Sequence, residues 1–190
     1  MSEPSLPDKV VALHEALARA AIPHAFGGAL ALAYYAEPRS TVDVDVNVFV
    51  TVEHAAAVAA ALRPLGADTS PLAGATPARD GQVRCHWGRT PIDLFFAYDA
   101  LHDAMRSQVC AVPFGPDTIP ILGAEHLVVC KAVFDRPKDW LDIEQVLATV
   151  DAFDSDDALA ELRRIVGNRD ARAEHLARLV DRRTQFLRQT

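Results

Sequence analysis

Residues 41–50 read TVDVDVNVFV, an unbroken alternation that only a β-strand explains. Val42, Val44, Val46, Val48 and Val50 take one face, and Thr41, Asp43, Asp45, Asn47 and Phe49 the other. The valine face is expected to pack inward against helices. The opposite face carries Asp43 and Asp45, whose Cα atoms in an extended chain lie roughly 6.5–7 Å apart. Two like charges so placed repel unless a cation sits between them, and a hard cation such as Mg²⁺ takes carboxylate oxygens. An edge strand with a solvated acidic face would show the same alternation.

What precedes this strand narrows the choice. The apolar segment IPHAF, residues 22–26, reads as a short strand running into Gly27 and Gly28. ALALAYYA, residues 29–36, then reads as a helix stopped by Glu37-Pro38. A glycine pair lets backbone approach a ligand closely, and a helix start offers unpaired N–H groups to an anion. Strand, Gly-Gly, helix, Arg39 and the Asp-x-Asp strand thus supply what a triphosphate beside metal ions requires.

The stretch GGALALAYYAEPRSTVDVDV, residues 27–46, resembles the signature of the polymerase-beta-type nucleotidyltransferase superfamily. Within it, the chain most resembles the abortive-infection (AbiEii-like) branch, which includes the mycobacterial nucleotidyltransferase toxins. The resemblance implies that Gly27 and Gly28 hold nucleotide phosphates and that Asp43 and Asp45 bind Mg²⁺ or Mn²⁺. It also implies that Arg39 and Thr41 support the nucleotide or fix the strand entry. The superfamily carries a third carboxylate on a neighbouring strand, and Asp93 in TPIDLFFAY, residues 90–98, suits it as metal ligand or as base. Such an acid in an apolar run is costly unless paired or bound. Capping a strand end or pairing with Arg89 would also account for it.

GAEHLVVCKAVFD, residues 123–135, reads as a helix holding Lys131, one of only three lysines in the chain. A lysine among Leu127, Val128, Val129, Ala132 and Val133 must snorkel or meet an anion. The resemblance makes that anion the triphosphate. A further helix starts at Pro137, with Asp139 and Asp142 on one face. Asp139 is taken as part of the site, although an acid at a helix start also favours the dipole without any catalytic role.

The remaining chain fits an α+β fold: a mixed β-sheet nucleotidyltransferase core flanked by helices, spanning residues 1–150, with a helical extension of the same domain over 151–190. Strands are expected at 82–87, 90–98, 109–114 and 118–122. Helices are expected at 7–20, 53–62, 100–107 and 138–150, and beyond residue 156 with a break at Gly167-Asn168. A loop is expected over 68–81. Half the residues are hydrophobic, enough to build a core without disulfides, and three scattered cysteines fit reduced thiols. The polar start and the lack of a spanning apolar run point to a cytoplasmic protein without membrane contact. P-loop and dinucleotide-binding glycine motifs are absent, and the seven histidines lack metal-ligand spacing.

The net charge of −7 is unlike a general nucleic-acid binder, yet from residue 161 onward eight arginines face four acids. That surplus would suit an RNA backbone, and a solvated helix with internal ion pairs would carry it equally well. The resemblance therefore implies an enzyme moving a nucleoside monophosphate from an NTP to an acceptor hydroxyl. For the toxin branch the acceptor is the tRNA 3′ end and the partner a cognate antitoxin. A small-molecule acceptor such as an antibiotic, a protein acceptor, and a catalytically silent binding module are the alternatives.

Overall fold

The computed structural model describes residues 3–75 and 81–187. Its backbone groups into two compact units, Met1–Leu30 with Ser40–Leu122 and Ala31–Arg39 with Gly123–Thr190. Of the loop expected over 68–81, residues 76–80 lie outside the described residues, as does Arg188.

The first unit is built on six strands: β1 (His24–Phe26), β2 (Val44–Val48), β3 (Gln82–Trp87), β4 (Thr90–Phe96), β5 (Cys110–Phe114) and β6 (Asp117–Ile121). They form one mixed sheet in the order β3-β4-β2-β1-β6-β5. β2 runs parallel to β4 and antiparallel to β1, while β1 runs parallel to β6. Two antiparallel hairpins, β3–β4 and β5–β6, close the two ends. The acidic strand is therefore interior, with hydrogen-bonded neighbours on both sides, and the edge-strand reading is excluded.

β2 is shorter than its alternation. Val44, Val46 and Val48 are buried as expected, but Val42 is 76% exposed in the bend before the strand. The register supplies a reason: Val44 pairs with Ile92, so Asp43 would come next to Pro91, which has no N–H to give a ladder. On the opposite face Asn47 and Phe49 are buried, so only the Asp43–Asp45 end of that face stays accessible.

Helix α1 (Leu6–Arg19) begins with a capping box between Ser5 and Asp8 and buries Val10, Leu13 and Leu17. Helix α2 (Gly28–Leu32) follows β1 directly and is shorter than the expected 29–36, since turn bonds such as Tyr35 N–H to Leu32 O replace further helical ones. Helices α3 (Ala55–Leu62) and α4 (Ala100–Ser107) match expectation, α3 packing on α1.

The second unit holds α5 (Ala124–Phe134), α6 (Pro137–Thr149), α7 (Ser155–Val166) and α8 (Ala171–Leu187). α5 packs against the other three and is apolar almost all round, as a helix at the centre of a bundle must be. The break between α7 and α8 falls at Gly167, whose φ of +99° no L side chain adopts without strain. Among the described residues no helix is long and apolar enough to cross a membrane.

Candidate active site

Asp45 of β2 and Asp93 of β4 are direct register partners on adjacent parallel strands, which puts their Cα atoms about 5 Å apart. Asp93 therefore stands on the neighbouring strand, as the sequence suggests, and is only 3% exposed. Asp43 lies in the bend just before β2 and is half-buried, as is Asp45. The Thr41 hydroxyl donates to the Asp43 carboxylate and lies 3.3 Å from its carbonyl oxygen, so Thr41 orients the first acid.

The glycine pair is fitted to these acids. The N–H of Gly27 donates to the carbonyl of Asp45 at 3.0 Å, tying the start of α2 to the acidic strand. A Cβ on Gly27 would lie 2.9 Å from the Asn47 amide nitrogen. At Gly28 the exclusion is stronger. Its φ is +53°, and a Cβ there would stand 1.7 Å from Asp45 Oδ2 and 2.6 Å from Cγ. The Asp45 carboxylate fills the hollow left by the missing side chain, so glycine is required by space as well as by backbone.

Asp93 has a partner that the sequence reading did not name. Arg84 of β3 grips it with both arms, Nε to Oδ1 at 2.7 Å and Nη2 to Oδ2 at 2.6 Å. Arg84, and not Arg89, is therefore the arginine that holds Asp93, since it takes both carboxylate oxygens. The sequence held a signal for Arg84. A two-residue turn at Gly88-Arg89 pairs Trp87 with Thr90, and the same register places Arg84 opposite Asp93. The Arg84 guanidinium is held above its ordinary pKa by hydrogen bonds to Asp93 and by the Asp93 charge, with further contributions from Asp43 and Asp45. All three acids thus act on one arginine.

The other expected residues gather in the helical unit. Lys131, 4% exposed on α5, places Nζ 2.6 Å from Asp142 Oδ2 and 3.8 Å from Asp139 Oδ1 of α6. Arg39 reaches the same Asp142 at 3.3 and 3.1 Å, and Arg136 holds Asp139 at 2.6 and 3.1 Å. Arg39 and Asp142 are 103 positions apart, so no local pattern announces their meeting. The arginine-rich tail is also partly engaged. Arg164 pairs with Glu161, Arg172 with Asp170, Arg182 with Glu144, and Arg183 donates to the carbonyls of Val150, Asp151 and Phe153.

The donor set decides what cation could be held. Asp43 and Asp45 offer hard carboxylate oxygens from a half-buried rim, which suits a divalent ion such as Mg²⁺. Asp93 has both oxygens committed to Arg84 and does not fit as a third ligand in this arrangement. Among the described residues no group of three or more His, Cys, Asp or Glu is disposed to hold a metal ion.

No protein-family model matches this chain, and no curated protein matches it by sequence. Solved structures do. The antibiotic-resistance factor ANT(2'')-Ia in solution is 14% identical, covers 92% of this chain and 97% of its own, and superposes with a TM-score of 0.62. Its crystal form in complex with adenylyl-2''-tobramycin is 13% identical over 84% of this chain and 95% of its own, with a TM-score of 0.58. The fold is that of the nucleotidyltransferases. The lincosamide antibiotic adenylyltransferase LnuA, lincomycin-bound, gives 10% identity, 76% and 98% coverage and a TM-score of 0.53. A nucleotidyltransferase fold accounts for the mixed sheet and for the interior place of β2. At these identities it carries the architecture and not the chemistry.

Proposed function

We propose that this protein transfers a nucleoside monophosphate from an NTP to an acceptor hydroxyl and releases pyrophosphate, with Asp43 and Asp45 as ligands of Mg²⁺ or Mn²⁺. The observation that carries this reading is the fit of Gly28 to the Asp45 carboxylate on an interior strand, with Asp93 in register beside it. A divalent ion there would screen triphosphate charge and stabilise charge developing on the transferred phosphorus. Gly27 and Gly28 bring the start of α2 against Asp45, so a phosphate meets this backbone only beside the ion that Asp45 holds. Thr41 holds Asp43, and Asp93 takes the proton of the acceptor hydroxyl once the exposed Arg84 side chain turns away and frees one of its oxygens.

For the acceptor, a small hydroxylated molecule is favoured. ANT(2'')-Ia, solved with adenylyl-2''-tobramycin, and the lincosamide antibiotic adenylyltransferase LnuA, solved with lincomycin, share this fold, and Arg164, Arg172 and Arg182 of the tail are held in internal pairs. The tRNA 3′ end, with an antitoxin partner, is the second reading, supported by Arg163, Arg169 and Arg178, which stay exposed. Lys131 and Asp139 we assign to joining α5 and α6. A phosphate contact by Lys131 is the alternative, which Lys131→Met separates by lowering either the melting temperature or NTP affinity.

The test is incubation with Mg²⁺, each α-labelled NTP, and either a panel of aminoglycosides and lincosamides or total tRNA, beside Asp43→Ala, Asp45→Ala. Label on a small molecule supports the first reading and label on tRNA the second. Label on neither, with no Mg²⁺-dependent NTP binding, leaves a silent binding module.

A further inference from the structure

We propose that Arg84 is a built-in counter-cation of the acidic strand: while it grips Asp93, the site accepts a single divalent ion in the absence of nucleotide, and loss of Arg84 admits a second. The inference rests on the reading of Asp43 and Asp45 as metal ligands.

Asp93 is 3% exposed, and a carboxylate so buried needs a positive partner. Arg84 meets that need with two parallel bonds, which occupy both oxygens and fix the carboxylate plane. A metal ion approaching Asp93 would have to displace the guanidinium or share the carboxylate with it against direct repulsion. Displacement is open to this side chain. β3 is the outermost strand at its end of the sheet, and the Arg84 side chain is 53% exposed, so the guanidinium can turn into solvent without crossing the core. Either cation can stand at Asp93, and Arg84 sets which one does. Asp43 and Asp45 also act on Arg84, so its charge is felt by the first ion as well as by the second.

The experiment is Mn²⁺ titration of the full chain without nucleotide, reading the number of bound ions by electron paramagnetic resonance and the shift in melting temperature. The wild type is expected to bind one ion and Arg84→Gln two, with a larger Mn²⁺-induced rise in melting temperature, because Asp93 has lost its partner. Arg84→Lys keeps the charge and is expected to stay at one ion. Asp93→Asn leaves Arg84 unopposed and is expected to weaken the single ion by about fivefold, the scale of one added charge at short range even when well hydrated. Two ions in the wild type would overturn the proposal. So would Arg84→Gln binding as the wild type does. If Arg84→Gln does not fold, unchanged affinity in Asp93→Asn overturns it. The variant Asp43→Asn, Asp45→Asn separates the underlying reading: if it keeps the first ion, those acids are not the ligands, whatever Arg84 does.

Discussion

Asp139 and Asp142 in the helical unit are buried, and each is met by more than one cation: Lys131 and Arg136 for the first, Lys131 and Arg39 for the second. In the sheet unit the acids are less enclosed. Arg84 meets Asp93 directly and feels Asp43 and Asp45, which stay half-buried. Sequence spacing treats both sets alike, as aspartates with a basic residue nearby. Burial and charge balance divide them. Where cations outnumber buried acids, the cluster is neutralised from within and stabilises the packing. Where acids gather on a half-open rim, the rim can still take up a cation from outside.

The largest expected effect separates the two sets at once. Asp43→Asn, Asp45→Asn should lower monophosphate transfer by about 10³-fold or more while leaving the melting temperature near that of the wild type. Lys131→Met should do the reverse. It leaves two buried carboxylates short of a partner, which costs about 3 kcal/mol or more and lowers the melting temperature on the order of 10 °C, measured by calorimetry. A Lys131→Met protein that melts normally and binds NTP poorly would break the comparison in favour of a phosphate contact.

Gly28→Ala sharpens the sheet side. The added methyl would enter the Asp45 carboxylate, so metal binding and transfer should both fall, with a stability loss of about 1–3 kcal/mol. Gly115→Ala is the control, with a similar φ of +61° and nothing within 4 Å of the new Cβ. It should show backbone strain alone and unchanged metal binding.

Smaller effects concern groups outside both sets. His126 on α5 is buried, and among the described residues its Nδ1 has no hydrogen-bond partner. Burial lowers its pKa against the opposing pull of Asp157, Glu125 and Glu161. The unfolded chain then takes the proton first, so this stability is complete above about pH 6.5 and is lost as pH falls below it toward the folded pKa. His126→Leu should flatten the acid limb of the stability curve by up to about 1.4 kcal/mol per pH unit. Cys85 is buried and its thiol is pushed up to about 11, chiefly by burial. A thiol reagent at pH 8 should label exposed Cys110 quickly and reach Cys85 only on unfolding.

Local features of this fold were legible because they are written in contiguous residues. The apolar spacing of α1, the two hairpins, the stop at Gly167 and the acidic strand all follow from periodicity, turn chemistry and glycine placement. The interior position of β2 was not legible. It depends on parallel pairing with β4, more than 40 residues later, and strand order is set by packing rather than by pattern. The extent of α2 was overread, since alanine and leucine favour helix but the chain turns after Leu32. In the site, the acids and glycines were visible and their counter-ions were not. Arg84 could have been found by counting back across the Gly88-Arg89 turn, whereas Arg39 meets Asp142 only through the fold.

The central claim is that Asp43 and Asp45 form a cation-dependent nucleotide site, and isothermal calorimetry tests it most directly. NTP is titrated into the wild type and into Asp43→Asn, Asp45→Asn, each with and without Mg²⁺. The account predicts binding to the wild type only when Mg²⁺ is present, and none to the variant at an unchanged melting temperature. Equal NTP binding by both proteins would contradict it and leave the acidic strand as a structural feature of a borrowed fold.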